Sequence, residues 1–182
     1  MQPPVIAVFG ASQSSPGDGY YEAGRECGRL LAEAGYGVVT GGYGGLMEAV
    51  SRGATEAGGT ALGVTAPSAF PERHGANEFV TTEIRAASLT ERIHELVTVS
   101  SGAIVLHGSI GTLTELAVAW NIAFIGDRAG RAPHPVVAVG PRWRTIVDDL
   151  AETLETNRAL VSTVDDVTAA VDVIRQRVPV TR

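Results

Sequence analysis

Apolar residues in this chain fall into two patterns that alternate along its length. Short unbroken apolar runs are typical of strands buried on both faces, whereas apolar residues recurring every three or four positions predict amphipathic helices. The runs predict strands at residues 5–9, 37–40, 61–65, 79–84, 103–106, 136–139 and 160–161. The helical spacing predicts helices at residues 20–34, 46–57, 89–100, 143–153 and 165–175, with another ending near residue 125.

This alternation of strands and helices predicts an α/β fold with three layers, α/β/α, around a mainly parallel sheet. Neither a repeat nor a linker divides the sequence, so a single domain spanning residues 1–182 is expected. In such sheets a ligand lies beyond the carboxyl ends of the strands, where the strand order reverses. The loops after Phe9, Thr40 and Leu106 are all at such ends and can converge on one crevice.

The stretch from His107 to Glu115 is the strongest candidate for a functional site. It follows a buried strand, contains a glycine turn and opens a helix. The first amides of a helix have no internal partners and lie at the positive end of its dipole, so they bind phosphate. The predicted phosphate ligands from this turn are Gly108, Ser109, Gly111 and Thr112.

Two charged side chains, Glu115 and Arg92, are candidates for a role beside this turn. For each of them an ordinary structural role is the alternative. Glu115 places a carboxylate beside the predicted phosphate site, but Thr112 and Glu115 also have capping-box spacing, in which the acid would only bind the Thr112 amide. Ser88 and Glu91 have the same spacing and predict the start of the preceding helix. Arg92 on that helix lies beside the apolar stripe of Leu89, Ile93, Leu96 and Val97, which favours partial burial over ordinary exposure.

A second glycine-rich turn follows the second strand, where Gly41, Gly42 and Gly45 are further candidates for phosphate binding. Glycine at these positions is equally consistent with close packing or positive φ. Ser12, in the polar loop after the first strand, is a candidate hydrogen-bond donor to a phosphate or ribose. Neither turn has the spacing Gly-x-Gly-x-x-Gly, so NAD is not predicted.

The composition narrows the classes of chemistry. All 14 basic residues are arginine, which excludes lysine-dependent P-loops and internal aldimines with pyridoxal phosphate. A net charge of −6 disfavours a nucleic-acid partner, and no apolar run is long enough to cross a membrane. Cys27 is predicted to be a core residue, no histidine pair has metal-ligand spacing, and no secretory signal is apparent. A cytoplasmic protein without metal or cofactor is expected.

Three motifs together resemble those of the LONELY GUY (LOG) family, long mislabelled as lysine decarboxylases. The stretch 41–50 resembles the family's Gly-Gly-Gly-x-x-Gly-Leu-Met-Gly motif, and His107 to Glu115 resembles Pro-Gly-Gly-x-Gly-Thr-x-x-Glu. Glu91 and Arg92 resemble the Glu-Arg pair on the preceding helix. His107, Ser109 and Glu48 depart from these motifs.

The resemblance implies a Rossmann-like homodimer that binds nucleoside 5′-monophosphates. Members of the family hydrolyse the N-glycosidic bond of AMP or of cytokinin riboside monophosphates, releasing free base and ribose 5-phosphate. Their catalytic arginine and glutamate correspond to Arg92 and Glu115. The apolar helix around Trp120 and Phe124 is expected to support self-association.

A phosphoribohydrolase is therefore the leading hypothesis. Glu115, kept ionised by Arg92, would stabilise positive charge on the ribose, orient water or form a transient covalent bond. The alternative is a noncatalytic nucleotide or molybdenum cofactor carrier that uses the same phosphate site. A structural domain with a vestigial site is the third hypothesis.

Overall fold

A computed structural model describes residues 3–180, so residues 1–2 and 181–182 of the predicted domain lie outside the described part. Within these residues, seven strands and six α-helices follow one another in the order that the sequence predicts, with no helix between the third and fourth strands. The strands β1–β7 are Val5–Phe9, Gly37–Thr40, Ala61–Thr65, Thr82–Arg85, Ala103–Val105, Val136–Val139 and Val161–Val164. The helices α1–α6 are Gly19–Glu33, Leu46–Glu56, Leu89–Thr98, Ile110–Arg128, Pro141–Thr153 and Val167–Arg177, and a 3₁₀ turn at Arg158–Leu160 precedes β7.

All seven strands join one parallel sheet in the order β4-β3-β2-β1-β5-β6-β7. The central strand β1 pairs with β2 on one side and β5 on the other, as at Ala7, which faces both Val39 and Ala103. The strand order therefore reverses between β1 and β5, and a crevice is expected beyond their carboxyl ends.

Both faces of the sheet are covered, because side chains along each buried strand alternate between two cores. Phe9 and Val105 pack with α3, α4 and α5, whereas Val8 and Ile104 pack with α1, α2 and α6. The predicted Rossmann-like three-layer α/β/α fold is confirmed. Cys27 is fully buried in the second core, as predicted.

Local hydrogen bonds move several element boundaries from their predicted positions. The strand predicted at 79–84 begins later, at Thr82, because Asn77 holds a turn in which its side chain accepts from the Phe79 amide. The last helix begins at Val167 because Asp166 caps it through the Ala169 amide. Helix α5 begins at Pro141, a residue favoured in the first turn.

Two predictions about apolar side chains are wrong. Leu89 opens α3 at the edge of the fold and is 45% exposed, so it does not belong to the core stripe. Trp120 is buried, and its indole N–H donates to the Asn157 carbonyl at 3.2 Å, so it offers no exposed surface for self-association. None of the helices within residues 3–180 combines the length and apolar character needed to cross a membrane.

Candidate functional site

Helix α3 aims Arg92 into the protein. One half of the predicted capping box at the start of α3 forms, since the Glu91 amide donates to the Ser88 hydroxyl at 3.1 Å. The Glu91 carboxylate, however, accepts from the Ala87 amide at 2.7 Å and not from that of Ser88. With the helix fixed in this phase, Arg92 lies beside the buried Ile93 and is only 6% exposed.

Backbone carbonyls at the carboxyl ends of two strands hold the Arg92 guanidinium. Nε donates to the Val64 oxygen at 2.8 Å and Nη2 donates to the Gly41 oxygen at 3.1 Å. Nη2 also lies 3.7 Å from Met47 Sδ. These contacts fix the side chain in one orientation and leave Nη1 directed at a different partner.

That partner is Glu115, which reaches the same site from α4. Arg92 Nη1 lies 3.6 Å from Glu115 Oε1, and Glu115 is 9% exposed. The capping-box alternative for Thr112 and Glu115 is wrong, because α4 begins at Ile110 with Ser109 as its N-cap. Glu115 therefore lies in the second turn of the helix, where it faces the arginine on α3.

Burial dominates the protonation of Glu115. Removal from water raises its pKa to about 7, and the Arg92 charge offsets this rise only in part. Burial also lowers the pKa of the Arg92 guanidinium, against the opposing effect of Glu115. Burial of Glu115 therefore opposes the expected effect of the Arg92 charge, which is to keep the carboxylate ionised.

Two aromatic rings cover the Arg92 guanidinium. Tyr43 and Phe70 pack edge to face, with ring centroids 5.6 Å apart, and the guanidinium carbon lies 5.6 Å from each centroid. Arg73 lies 4.8 Å and 4.6 Å from the same two rings and reaches Ser12 Oγ at 3.4 Å. Sequence reasoning missed Arg73 because segment 67–77 has no periodicity, although an arginine three residues after Phe70 was a detectable signal.

A cavity of about 430 Å³, here called the switch pocket, lies beyond the carboxyl ends of β1 and β5. It brings together three predicted phosphate ligands, Ser12, Gly108 and Ser109. Ser109 makes no side-chain cap to α4, so the first amides of that helix remain available to a ligand. Arg142 from α5 also lines this pocket, and no motif in the sequence pointed to it.

The other predicted ligands of the first turn lie outside the lining of the switch pocket. Thr112 is buried and packs against Gly108, where a side chain on the glycine would overlap the Thr112 hydroxyl. Gly111 is exposed, and a side-chain carbon added there would meet no atom within 4 Å. Arg92 and Glu115 are also absent from the lining, so the phosphate residues and the acid occupy successive turns of α4.

The three glycines of the second turn that were predicted to bind phosphate, Gly41, Gly42 and Gly45, are required for packing. A side chain on Gly41 would overlap the Arg92 guanidinium. Gly42 and Gly45 have positive φ angles of 77° and 73°, and Gly45 packs directly against the Ser12 backbone. All three are buried, so the close-packing alternative has clear support, while their binding of phosphate stays a prediction.

Two of the three residues that depart from the LOG motifs, His107 and Glu48, have specific partners in this structure. The His107 ring stacks on Tyr20 with centroids 3.8 Å apart and the planes 8° from parallel. Glu48 accepts a hydrogen bond from the Tyr21 hydroxyl at 2.8 Å, which ties α2 to α1. No group of three His, Cys, Asp or Glu side chains that could hold a metal occurs within residues 3–180.

Comparison with known proteins identifies the family of this chain. Residues 3–125 match the SLOG cluster4 family. The chain belongs to this family. An uncharacterized protein of Archaeoglobus fulgidus is 30% identical over 139 residues, which cover 75% of this chain and 85% of the relative. A cytokinin riboside 5′-monophosphate phosphoribohydrolase of Mycobacterium tuberculosis is 31% identical over 142 residues, covering 75% and 71%. The predicted LOG resemblance of this SLOG protein is confirmed.

Solved structures share the fold along most of the chain. The molybdenum cofactor binding protein of Rippkaea orientalis has a TM-score of 0.77 at 24% identity, covering 97% of this chain and 98% of the other. The molybdenum cofactor carrier protein of Chlamydomonas reinhardtii has a TM-score of 0.74 at 24% identity, covering 95% and 97%. DNA processing protein A of Helicobacter pylori has a TM-score of 0.61 at 14% identity, covering 96% of this chain and 81% of the other. That structure was reported for its mode of binding single-stranded DNA. At these identities the likeness concerns the fold alone.

Proposed function

We propose that this SLOG protein hydrolyses the N-glycosidic bond of a nucleoside 5′-monophosphate, giving free base and ribose 5-phosphate. The observation that carries the proposal is the buried pair of Arg92 and Glu115, 3.6 Å apart at the carboxyl edge of the sheet. The 31% identical relative named as a phosphoribohydrolase supports the same activity. AMP and cytokinin riboside monophosphates are the first substrates to test.

The 5′-phosphate would bind in the switch pocket. The Ser12 and Ser109 side chains and the first amides of α4 are the hydrogen-bond donors, and Arg142 supplies a positive charge. Gly41, Gly42, Gly45, Gly111 and Thr112 remain part of the proposed site as backbone that shapes the two turns. Anchoring the phosphate restricts the ribose, so binding energy remote from the reaction supports cleavage at C1′.

Cleavage breaks the bond between C1′ and the base nitrogen, and the bonding electrons leave with the base. Positive charge develops on the ribose, and Glu115 in its ionised form stabilises that charge, orients water or attacks C1′. Water finally supplies hydroxide to C1′ and a proton to the base. Arg92 binds the substrate or orients the Glu115 carboxylate. Its two hydrogen bonds to backbone carbonyls hold the guanidinium in a fixed position for either role.

The apolar outer face of α4 supports a homodimer as the working form. Ile110, Ile122 and Ile125 are 76%, 40% and 49% exposed, and the buried Glu115 is the one charged residue of the helix between Ile110 and Ile125. A second copy would cover these isoleucines close to Glu115.

With a net charge of −6 we expect no nucleic-acid partner. We also expect a cytoplasmic location.

The test is to incubate purified protein with AMP, GMP, CMP and isopentenyladenosine 5′-monophosphate and to measure free base by chromatography. The wild type should release base, and Glu115→Gln should lower the rate by about a hundredfold or more. Glu152→Gln is the matched control, because Glu152 is exposed at the end of α5. Wild-type protein that releases no base from any of the four nucleotides contradicts the proposal.

A carrier function is the second candidate, and the burial of Glu115 favours it. With only 9% of the residue exposed, the acid is largely closed off within one chain. A carrier would bind a phosphorylated compound in the switch pocket and return it unchanged. Tight binding of a nucleotide without release of base, in wild type and Glu115→Gln alike, would establish this function.

A further inference from the structure

We infer that Arg73 is a positioning residue for the acid pair. It holds the Tyr43 and Phe70 rings against Arg92 and thereby keeps segment 67–77 closed over the guanidinium. The role of Arg73 in catalysis rests on the proposed function, whereas the closure itself is measured without turnover.

Arg73 and Arg92 pack against the same two rings. The Arg73 guanidinium carbon lies 4.8 Å from the Tyr43 centroid and 4.6 Å from the Phe70 centroid, closer than Arg92, which lies 5.6 Å from each. All four distances are within the roughly 6 Å at which a cation is attracted to an aromatic face. Arg73 also lies 3.5 Å from Glu72, but that side chain is 66% exposed, so this ion pair contributes little. The rings are therefore the main partners of Arg73.

The two rings come from separate parts of the chain, and Arg73 links them. Tyr43 belongs to the second glycine-rich turn and is buried, whereas Phe70 belongs to segment 67–77 and is half-buried. Arg73 extends from the same segment to the Tyr43 ring, and its Nη2 donates to Ser12 Oγ at 3.4 Å in the loop after β1. One side chain thus joins the segment to two of the loops at the carboxyl edge of the sheet.

Backbone hydrogen bonds tie the segment to the rest of the fold only near its two ends. The Phe70 amide donates to the Ala66 carbonyl at 3.1 Å near the start, and the Asn77 amide donates to the Gly42 carbonyl at 2.7 Å at the end. Between these points the Arg73 side chain reaches out of the segment to the rings and to the loop after β1. Loss of this side chain should therefore let the middle of the segment open while both ends stay attached.

The rings protect the contact on which the proposed chemistry depends. Arg92 binds two backbone carbonyls through Nε and Nη2, and Nη1 lies 3.6 Å from Glu115. Water that reached this edge would compete for Nη1 and weaken the attraction between the two charges. Arg73 therefore acts through the rings and Arg92, without contact of its own with the reacting atoms.

Exchange of the Arg92 Nε proton with water, measured by NMR, reports the closure in the absence of any nucleotide. Arg73→Met keeps much of the apolar stem but removes the cation from two rings, so the exchange should become about tenfold faster. Arg73→Lys keeps a cation and should restore most of the protection. Arg128→Met is the matched control, because Arg128 lies 4.9 Å from the single ring of Phe124 at the end of α4.

A double-mutant cycle tests whether Arg73 acts through the ring of Phe70. Phe70→Leu removes one shared ring and should also speed exchange of the Arg92 proton. Combined with Arg73→Met, it should add much less than its effect in the wild type, because both changes remove the same contact. Single effects that simply multiply in the double variant would overturn the inference.

Kinetics test the part of Arg73 in the proposed hydrolysis. Arg73→Met should lower kcat for base release by about tenfold with little change in KM, and Arg73→Lys should recover most of the loss. A raised KM with unchanged kcat would overturn the positioning role, since Arg73 would then bind substrate directly.

Failure of the inference and failure of the proposed hydrolysis give different results. In a protein without turnover, faster Arg92 exchange in Arg73→Met would still support the closure. Equal exchange in the wild type and in Arg73→Met that is folded, as established by thermal unfolding, would overturn the inference even if the wild type releases base.

Discussion

Arg92 donates a hydrogen bond to the Gly41 carbonyl at 3.1 Å, in space that only a glycine at position 41 leaves open. The two residues are 51 positions apart in the chain and meet at the carboxyl edge of the sheet. Every larger residue at position 41 would overlap the guanidinium, so the first glycine of the second turn is fixed by the arginine on α3.

Gly41→Ala should therefore displace Arg92 and lower the free energy of unfolding by about 1–3 kcal/mol, a typical cost of overpacking. Urea unfolding measures this change. Gly44→Ala in the same turn is the matched control, because its side-chain carbon would meet only the Glu48 carboxylate at an ordinary 3.8 Å. Equal stability of the two variants would show that Arg92 does not depend on Gly41.

The raised pKa of Glu115 makes the stability of the protein depend on pH. Its folded value of about 7 exceeds the usual 4.5, so the folded state holds a proton that the unfolded state releases between these values. Stability from this group is therefore lost as pH rises from about 4.5 to 7, by up to about 3 kcal/mol. The stability difference between Glu115→Gln and wild type should grow over this interval, as measured by urea unfolding at several pH values. A difference that stays constant would mean that folding does not raise the pKa of Glu115.

The same pKa predicts the pH dependence of the proposed hydrolysis. Because the ionised carboxylate is the reactive form, kcat/KM for the nucleotide should rise through pH 7 and level off above about pH 8. Initial rates at low substrate concentration from about pH 5.5 to 9 measure this profile. A rate that falls across the same interval would assign Glu115 the role of proton donor to the leaving base.

The outer face of α4 predicts how the protein self-associates. Ile122→Asp places a charge among the exposed isoleucines of this face and should convert a dimer to monomers, as measured by light scattering during gel filtration. Leu154→Asp is the matched control, since Leu154 is 66% exposed beyond the end of α5. A wild-type protein that is already monomeric at high concentration would exclude this interface.

The sequence by itself determined the layers of the fold, and it singled out Arg92 and Glu115, which the structure brings within 3.6 Å of each other. Unbroken apolar strands and helical spacing require a covered parallel sheet, since both patterns depend only on local periodicity. The motif resemblance pointed to Arg92 and Glu115, and the helical phase of α3 anticipated that Arg92 would be partly buried. Trp120 and Leu89 were misassigned because both lie in apolar stretches, and periodicity does not show which flank of a stripe is covered.

Only the tertiary structure decided the pKa of Glu115 and which other residues surround the candidate site. Its pKa depends on how many atoms surround the carboxylate and on the 3.6 Å separation from Arg92, neither of which is encoded in spacing along the chain. Arg73 and Arg142 come from a loop and a helix start that reach the candidate site only when the sheet assembles. Periodicity along the chain predicts which residues form helices and strands. The burial of a carboxylate and the meeting of distant segments depend on the folded structure, so the sequence pattern does not predict them.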